Sequence, residues 1–177
     1  MKLIATLATC FNKPASVIQE LIPQNTQFAQ YGHACQLEGG DVMHAHDFVP
    51  LRSDSQDKSF VQYQLAVDKF AHLPHRAPEF HLQDFFGKIL CFVIVDIPHS
   101  PIHNIKADSF IYAFISQVKI SEPATNQCGI NYYKDLGPTE FVGLNQIKCV
   151  VGCIKDCGKW SIIDQSRLLA QAVAECN

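Results

Sequence analysis

Period-two alternation and continuous apolar runs divide most of this chain into β-strands. Val61, Tyr63, Leu65 and Val67 alternate with Gln62, Gln64 and Ala66, the signature of a half-buried strand. Residues 88–97 form a nearly unbroken apolar run that includes Phe92, Val93, Ile94 and Val95. Such a run predicts a central strand covered on both faces. Residues 109–120 predict a second long strand, with Phe110, Tyr112, Phe114 and Val118 on one side. A loop over 72–78, punctuated by Pro74 and Pro78, precedes the central strand, and Pro98 and Pro101 end it.

Later in the chain come Tyr132-Tyr133 and Phe141-Val142, then a hairpin. Residues 147–154 and 160–163 are its strands, and 155–159 its turn, where Asp156 and Gly158 permit tight geometry. Alternation puts Ile147, Cys149, Val151 and Cys153 on one core-facing side and predicts that Trp160 is buried against the sheet. Near the start, Asn12 is a candidate cap for a short helix over 12–22, with Pro14 in its first turn. Val17, Ile18, Leu21 and Ile22 share its apolar face. After Ser166, the spacing of Leu168, Leu169, Ala172, Val173 and Cys176 fits a helix or an extended segment equally well. The fold class expected is mainly β: a small, curled antiparallel sheet or barrel of about five to seven strands with a short N-terminal helix. The division expected is a helical segment over 1–29 and a single β domain over 30–177.

Composition narrows the function. A net charge of −3, with only Arg52, Arg76 and Arg167 among scattered basic residues, gives no electrostatic reason to bind nucleic acid directly. Eight cysteines do not have the spacing of a small secreted disulfide scaffold, and Cys91, Cys149 and Cys153 lie in apolar runs, as reduced core thiols do. The apolar start over 3–11 imitates a signal peptide, and residues 7–10 imitate a lipoprotein box ending at Cys10. The run is at the short limit, and Thr9 is a poor residue before such a cysteine, so an intracellular chain, nuclear or cytoplasmic, is expected. No stretch has the length of a membrane span.

No catalytic motif occurs. H-E-x-x-H, G-x-S-x-G, phosphate loops and G-x-G-x-x-G are all missing. Cys149, Cys153 and Cys157 are spaced four apart rather than as a zinc-binding C-x₂-C pair. His44 and His46 would share a strand face, where two imidazoles can in principle meet one ion. His99 and His103 have helical spacing, but Pro98 and Pro101 exclude a helix through them. Asp41, Asp47, Asp84, Asp96 and Asp164 read as turn and strand-end residues. No catalytic, cofactor-binding or metal residue is therefore assigned, and no cofactor is expected.

Several phrases carry a resemblance: Leu21-Ile22-Pro23, Tyr31-Gly32-His33, residues 37–41, Ser59-Phe60-Val61-Gln62-Tyr63, Asp84-Phe85-Phe86-Gly87 and residues 132–140. The most distinctive runs from Gln146-Ile147-Lys148-Cys149-Val150-Val151-Gly152 through Trp160 and Ile162-Ile163-Asp164 to Leu169-Ala170. Together they resemble the C-terminal accessory region of proteins encoded by CACTA-type DNA transposons of mushroom-forming (basidiomycete) fungi. That region lies downstream of the transposase, so the resemblance implies no catalytic residue. Gly40-Asp41, Phe86-Gly87-Lys88-Ile89 and residues 147–151 also resemble, at the level of fold, bromo-adjacent homology (BAH) domains, which are chromatin-reading barrels. The expectation is a non-enzymatic interaction or structural module with a protein or chromatin partner. Its alternative is a small exported or lipid-anchored protein in which cysteines pair.

Members of the resembled family tend to carry Arg near His33, Cys35, Gln36, Gln62, Cys153, Cys157 and Gln165. Each replacement is one C-to-T or G-to-A transition from an arginine codon, which fits a transposon relic eroded by mutation of methylated DNA. Sequenced neighbouring copies should differ at these codons mainly by transitions; equal transitions and transversions would refute erosion.

Overall fold

A computed structural model describes residues 2–23, 26–35, 40–50, 57–73, 75–122 and 130–163. The first helix, α1 (Lys2–Phe11), is the apolar start itself. Leu3 and Leu7, one turn apart, are buried, and Ile4, Ala8 and Phe11 pack beside them. Among the described residues, no helix is long and apolar enough to cross a membrane. The expected helix over 12–22 is shorter than its pattern: α2 spans Ala15–Leu21, and Asn12 does not cap it. Asn12 instead takes a left-handed φ of 48°. It ends α1, with its N–H donating to Thr9 O and that of Lys13 to Ala8 O. This is a Schellman closure, in which asparagine replaces the usual glycine. Ile18 and Ile22 then bury the predicted face of α2.

The mainly β expectation holds. Strands β1 (Gln30–Tyr31), β2 (His33–Cys35) and β3 (Val42–His44) are short, and β2 and β3 form a separate antiparallel pair. The main sheet contains β4 (Phe60–Asp68), β5 (Phe80–Ile97), β6 (Asp108–Glu122) and β7 (Asn131–Gly143) as an antiparallel meander. Tyr132-Tyr133 and Phe141-Val142 thus belong to one strand, β7. Its register against β6 shifts between Ser116↔Thr139 and Val118↔Leu136, and Pro138 lies in that shift, where a missing N–H is tolerated. The run over 88–97 is central as expected, lying between β4 and β6 and largely buried on both faces.

The expected hairpin is corrected in one respect: its outgoing strand is two strands. A short 3₁₀ turn leads into β8 (Ile147–Val150), which pairs with β4, whereas β9 (Gly152–Asp156) pairs with β10 (Lys159–Ile163). β10 in turn pairs with β7. The order β8-β4-β5-β6-β7-β10-β9 therefore begins and ends on neighbouring pieces of one segment, separated by Val151 alone. A flat sheet cannot meet that condition, so the sheet curls into a half-barrel. The β9–β10 turn has positive φ at both Cys157 (44°) and Gly158 (81°), as a two-residue type I′ turn requires.

Three apolar clusters hold the molecule together. The first joins both helices to β5 and β6 through Leu3, Leu7, Ile18, Val93, Val95 and Tyr112. The helical segment and the strands thus share one core. The second puts Met43 and Ala45 over Val61, Tyr63, Phe92 and Ile115. The third lies at the closure, where Phe60, Val118, Tyr133, Val151 and Ile162 meet. The predicted inward set is corrected at one end. Cys149, Val151 and Cys153 share the third cluster, but a β-bulge opposite Gln62 and Tyr63 turns Ile147 to the other face, into the second cluster.

Gly87 marks a close approach, because a Cβ there would lie 2.2 Å from Ile115 Cγ2 and 3.1 Å from Ser116 O. Gly87→Ala should destabilise the fold by about 1–3 kcal/mol, read as a lower urea midpoint. Cys157→Asn, a better residue for the left-handed turn position, should raise that midpoint by an amount equivalent to roughly 0.5–1 kcal/mol.

Candidate functional site

β5 and β6 are paired only from Ile97↔Asp108 to Gly87↔Gln117. Beyond that point β5 continues with β4, and β6 with β7, so this end of the sheet divides into two arms, β4–β5 on one side and β6–β7, extended by β10 and β9, on the other. Large apolar side chains are left exposed on both arms: Phe80 and Leu82 on β5, Ile120 on β6 and Leu136 on β7. Each is paired within its arm, but β5 and β6 no longer pair with each other past Gly87 and Gln117.

An aromatic row runs from the core to this end. Phe60 lies 6.1 Å from Tyr133, and Tyr133 lies 6.4 Å from Trp160 with the two planes 19° apart. Tyr133 is directly opposite both Ile120 and Trp160, so all three side chains lie on one face of the sheet. Tyr133 is buried; Trp160 is 38% exposed. This overturns the expected burial of Trp160. It does share the face of buried Ile162, but it is one pair from the hairpin tip Lys159↔Asp156, where the sheet ends. Lys155, opposite it, places Nζ 5.9 Å from the ring centroid, and Lys88 stands 5.3 Å from that of Phe60. Burial, then the charge of and hydrogen bond with Cys153, push the Tyr133 hydroxyl well above its ordinary range. Burial likewise raises Tyr63, whose hydroxyl donates to Glu140 Oε1 at 2.5 Å. Both phenols stay protonated and able to donate.

The residues weighed for chemistry do not converge. Asp41 accepts from Val150 N, Asp84 from Gln64 Nε2 and Asp96 from Ser109 Oγ. Asp47 faces the Cys91 thiol, which burial and that carboxylate push up. Asp164 and the segment over 166–176 lie outside the described residues. His103 pairs with Glu20 at 3.4 Å, while His99 is exposed. Cys10, Cys35, Cys91 and Cys153 are thiols; Tyr112 OH donates to Cys10 Sγ at 3.5 Å. Among the described residues, no three His, Cys, Asp or Glu side chains gather as metal ligands. A groove of about 470 Å³ between α2 and β1, lined by Ile22, Pro23, Phe28, Tyr31 and Ile94, has Asp96 as its one ionisable carboxylate, already engaged by Ser109.

His44 and His46 do not form the pair their spacing offers, because β3 ends at His44 and His46 turns toward β5, donating its N–H to Ile89 O. The imidazole beside His44 belongs to His33, 4.8 Å away between ring centroids. Burial, then His33 and Lys58, lower the His44 pKa. Pairing the segments over 33–35 and 42–44 so that Ala34, Met43 and Ala45 all point inward would have revealed this partner from sequence.

No known protein family, curated protein or solved structure matches this chain.

Trp160→Ala should cost at most about 1–2 kcal/mol, less than the roughly 3–5 kcal/mol of a core aromatic such as Phe92→Ala. Native tryptophan emission should already be red-shifted; blue emission that moves on unfolding would contradict this exposure. Burial pushes the Cys153 thiol from 9.0 up to about 11, against a hydrogen bond from Tyr133 that lowers it. The unfolded thiol loses its proton first as pH rises, so this contribution is complete below pH 9.0 and is lost between there and about 11. Denaturation midpoints should fall across that interval, and Cys153→Ala should flatten the fall.

Proposed function

We propose that this chain is a non-enzymatic interaction module derived from a transposon-encoded protein, and that Trp160 anchors its partner. The observation that carries this reading is a tryptophan left 38% exposed while stacked on a buried tyrosine and flanked by Lys155. A stacked indole is held in place before binding, and interface energy concentrates in such aromatic anchors. Ile120 is exposed on the same face, across Tyr133, and Leu136 on the same arm adds further exposed apolar surface. A protein partner, chromatin-bound in keeping with the BAH resemblance, suits this surface better than nucleic acid. Tryptophan can stack on a base, but a net charge of −3 without a basic cluster gives a phosphate backbone little to hold. The phrase that best carries the transposon resemblance includes Trp160, and erosion of arginines elsewhere would leave the aromatic anchor in place.

A photo-crosslinker at Ile120 tests this in fungal nuclear extract and with purified nucleosomes. It should capture a discrete protein partner, and a control crosslinker at exposed Ile102 should not. Trp160→Ala should abolish the capture while leaving the circular dichroism spectrum unchanged. Capture that survives Trp160→Ala, or capture of DNA alone, would refute the reading.

A further inference from the structure

The β2–β3 pair holds two imidazoles in the relation that chelation by a sheet requires. His33 and His44 are direct cross-strand partners. The adjacent pair, Gly32 and Ala45, is joined by a hydrogen bond from Ala45 N to Gly32 O at 2.7 Å. Hydrogen-bonded and non-hydrogen-bonded pairs alternate in antiparallel ladders, so His33↔His44 is of the non-hydrogen-bonded kind, in which side chains stand closest. In agreement, the His44 N–H points away from His33 and donates to Lys58 O at 3.1 Å.

The backbone beneath the pair is fixed. Met43 and Ala45 are fully buried on the opposite face and seated in the second core cluster with Ala34. His33 is exposed and His44 half-buried, so the rings are reachable from solvent. With metal–nitrogen bonds of about 2.0–2.1 Å, two imidazoles meeting one ion at angles between square and tetrahedral place their centroids roughly 4.5–5.2 Å apart. The observed separation is 4.8 Å. The rings now stand edge to face at 75°. Each turns about χ2, a soft torsion for histidine, with little movement of its centroid, which lies near the Cβ–Cγ axis.

We infer that His33 and His44 form a two-imidazole binding site for a divalent first-row transition-metal ion such as Zn²⁺, Ni²⁺ or Cu²⁺. Imidazole nitrogen favours these ions, whereas Ca²⁺ and Mg²⁺ require oxygen donors. Cys35, two residues along β2, lies on the same face as His33 and has an exposed thiol. Among the described residues no third donor is assembled with the pair. The ion's remaining positions are therefore left to water or to a donor from a bound partner. The site does not depend on the aromatic anchor, since it stands on a different sheet.

Titration of the tag-free, reduced chain with Zn²⁺ and Ni²⁺ in separate calorimetric experiments tests this. Each ion should bind with one saturable equivalent of highest affinity and raise the thermal midpoint, as a ligand of the native state does. His33→Gln and His44→Gln should each weaken that equivalent at least ten-fold, and Cys35→Ser should change it less than three-fold. Imidazole ¹⁵N resonances of both histidines should shift together on adding Zn²⁺. If His44→Gln impairs folding, His33→Gln decides alone, because its ring is exposed. No saturable binding, binding indifferent to His33→Gln, or loss only with Cys35→Ser would overturn the assignment. Ca²⁺ binding with equal affinity would also overturn it.

Discussion

The fold depends on one residue's worth of chain at Val151. Before it, β8 is paired with β4 at one end of the strand order; after it, β9 enters the hairpin that pairs with β7 at the other end. The Val151 N–H donates to Phe60 O at 2.9 Å, and its side chain is almost wholly buried among Phe60, Tyr133 and Ile162. The two ends of the meander are thus tied by backbone hydrogen bonds and by a shared apolar cluster. Curling follows from that tie, and it covers the start of the β4 edge, at Val61 to Tyr63, with β8.

Closure at one level forces an opening at another. Strands that converge on Val151 separate beyond Gly87 and Gln117, where β5–β6 pairing ends. The same long strands therefore supply a packed centre and two exposed arms. Phe86 packs against the third cluster, while Leu82 and Phe80, continuing its alternation outward, are exposed. The transition from core to exposed apolar surface takes place within single strands, without a loop between them.

The helices have a complementary role. α1 and α2 cover the half of β5 that β4 does not reach, joined there by β1 at Phe92 and Val93. Without them, Val93, Val95 and Tyr112 would face water, a large apolar loss for a domain whose net stability is of order 10 kcal/mol. The apolar start therefore has a packing role here, whatever else its sequence imitates.

The sequence by itself determined what is local. Alternation over 61–67, the continuous run over 88–97 and the shared side of Cys149, Val151 and Cys153 survive in the structure, because side-chain direction repeats every two residues whichever strand lies alongside. A bulge against β4 sends Ile147 to the other face. Positive φ at Gly158 was legible because glycine has no Cβ to clash, and the apolar face of α2 because a helix repeats every 3.6 residues. Tertiary structure decided what depends on partners distant in sequence. Whether 147–154 was one strand or two depended on β4 and β10 competing for it. Whether Asn12 opened a helix or closed one depended on α1 having a surface to pack on. Trp160 had the parity of a core residue, but its exposure depended on how far the sheet extends past it. His33 and His44, eleven positions apart, were brought together only by the register of β2 against β3. Parity belongs to the chain, whereas register and coverage belong to the assembled sheet.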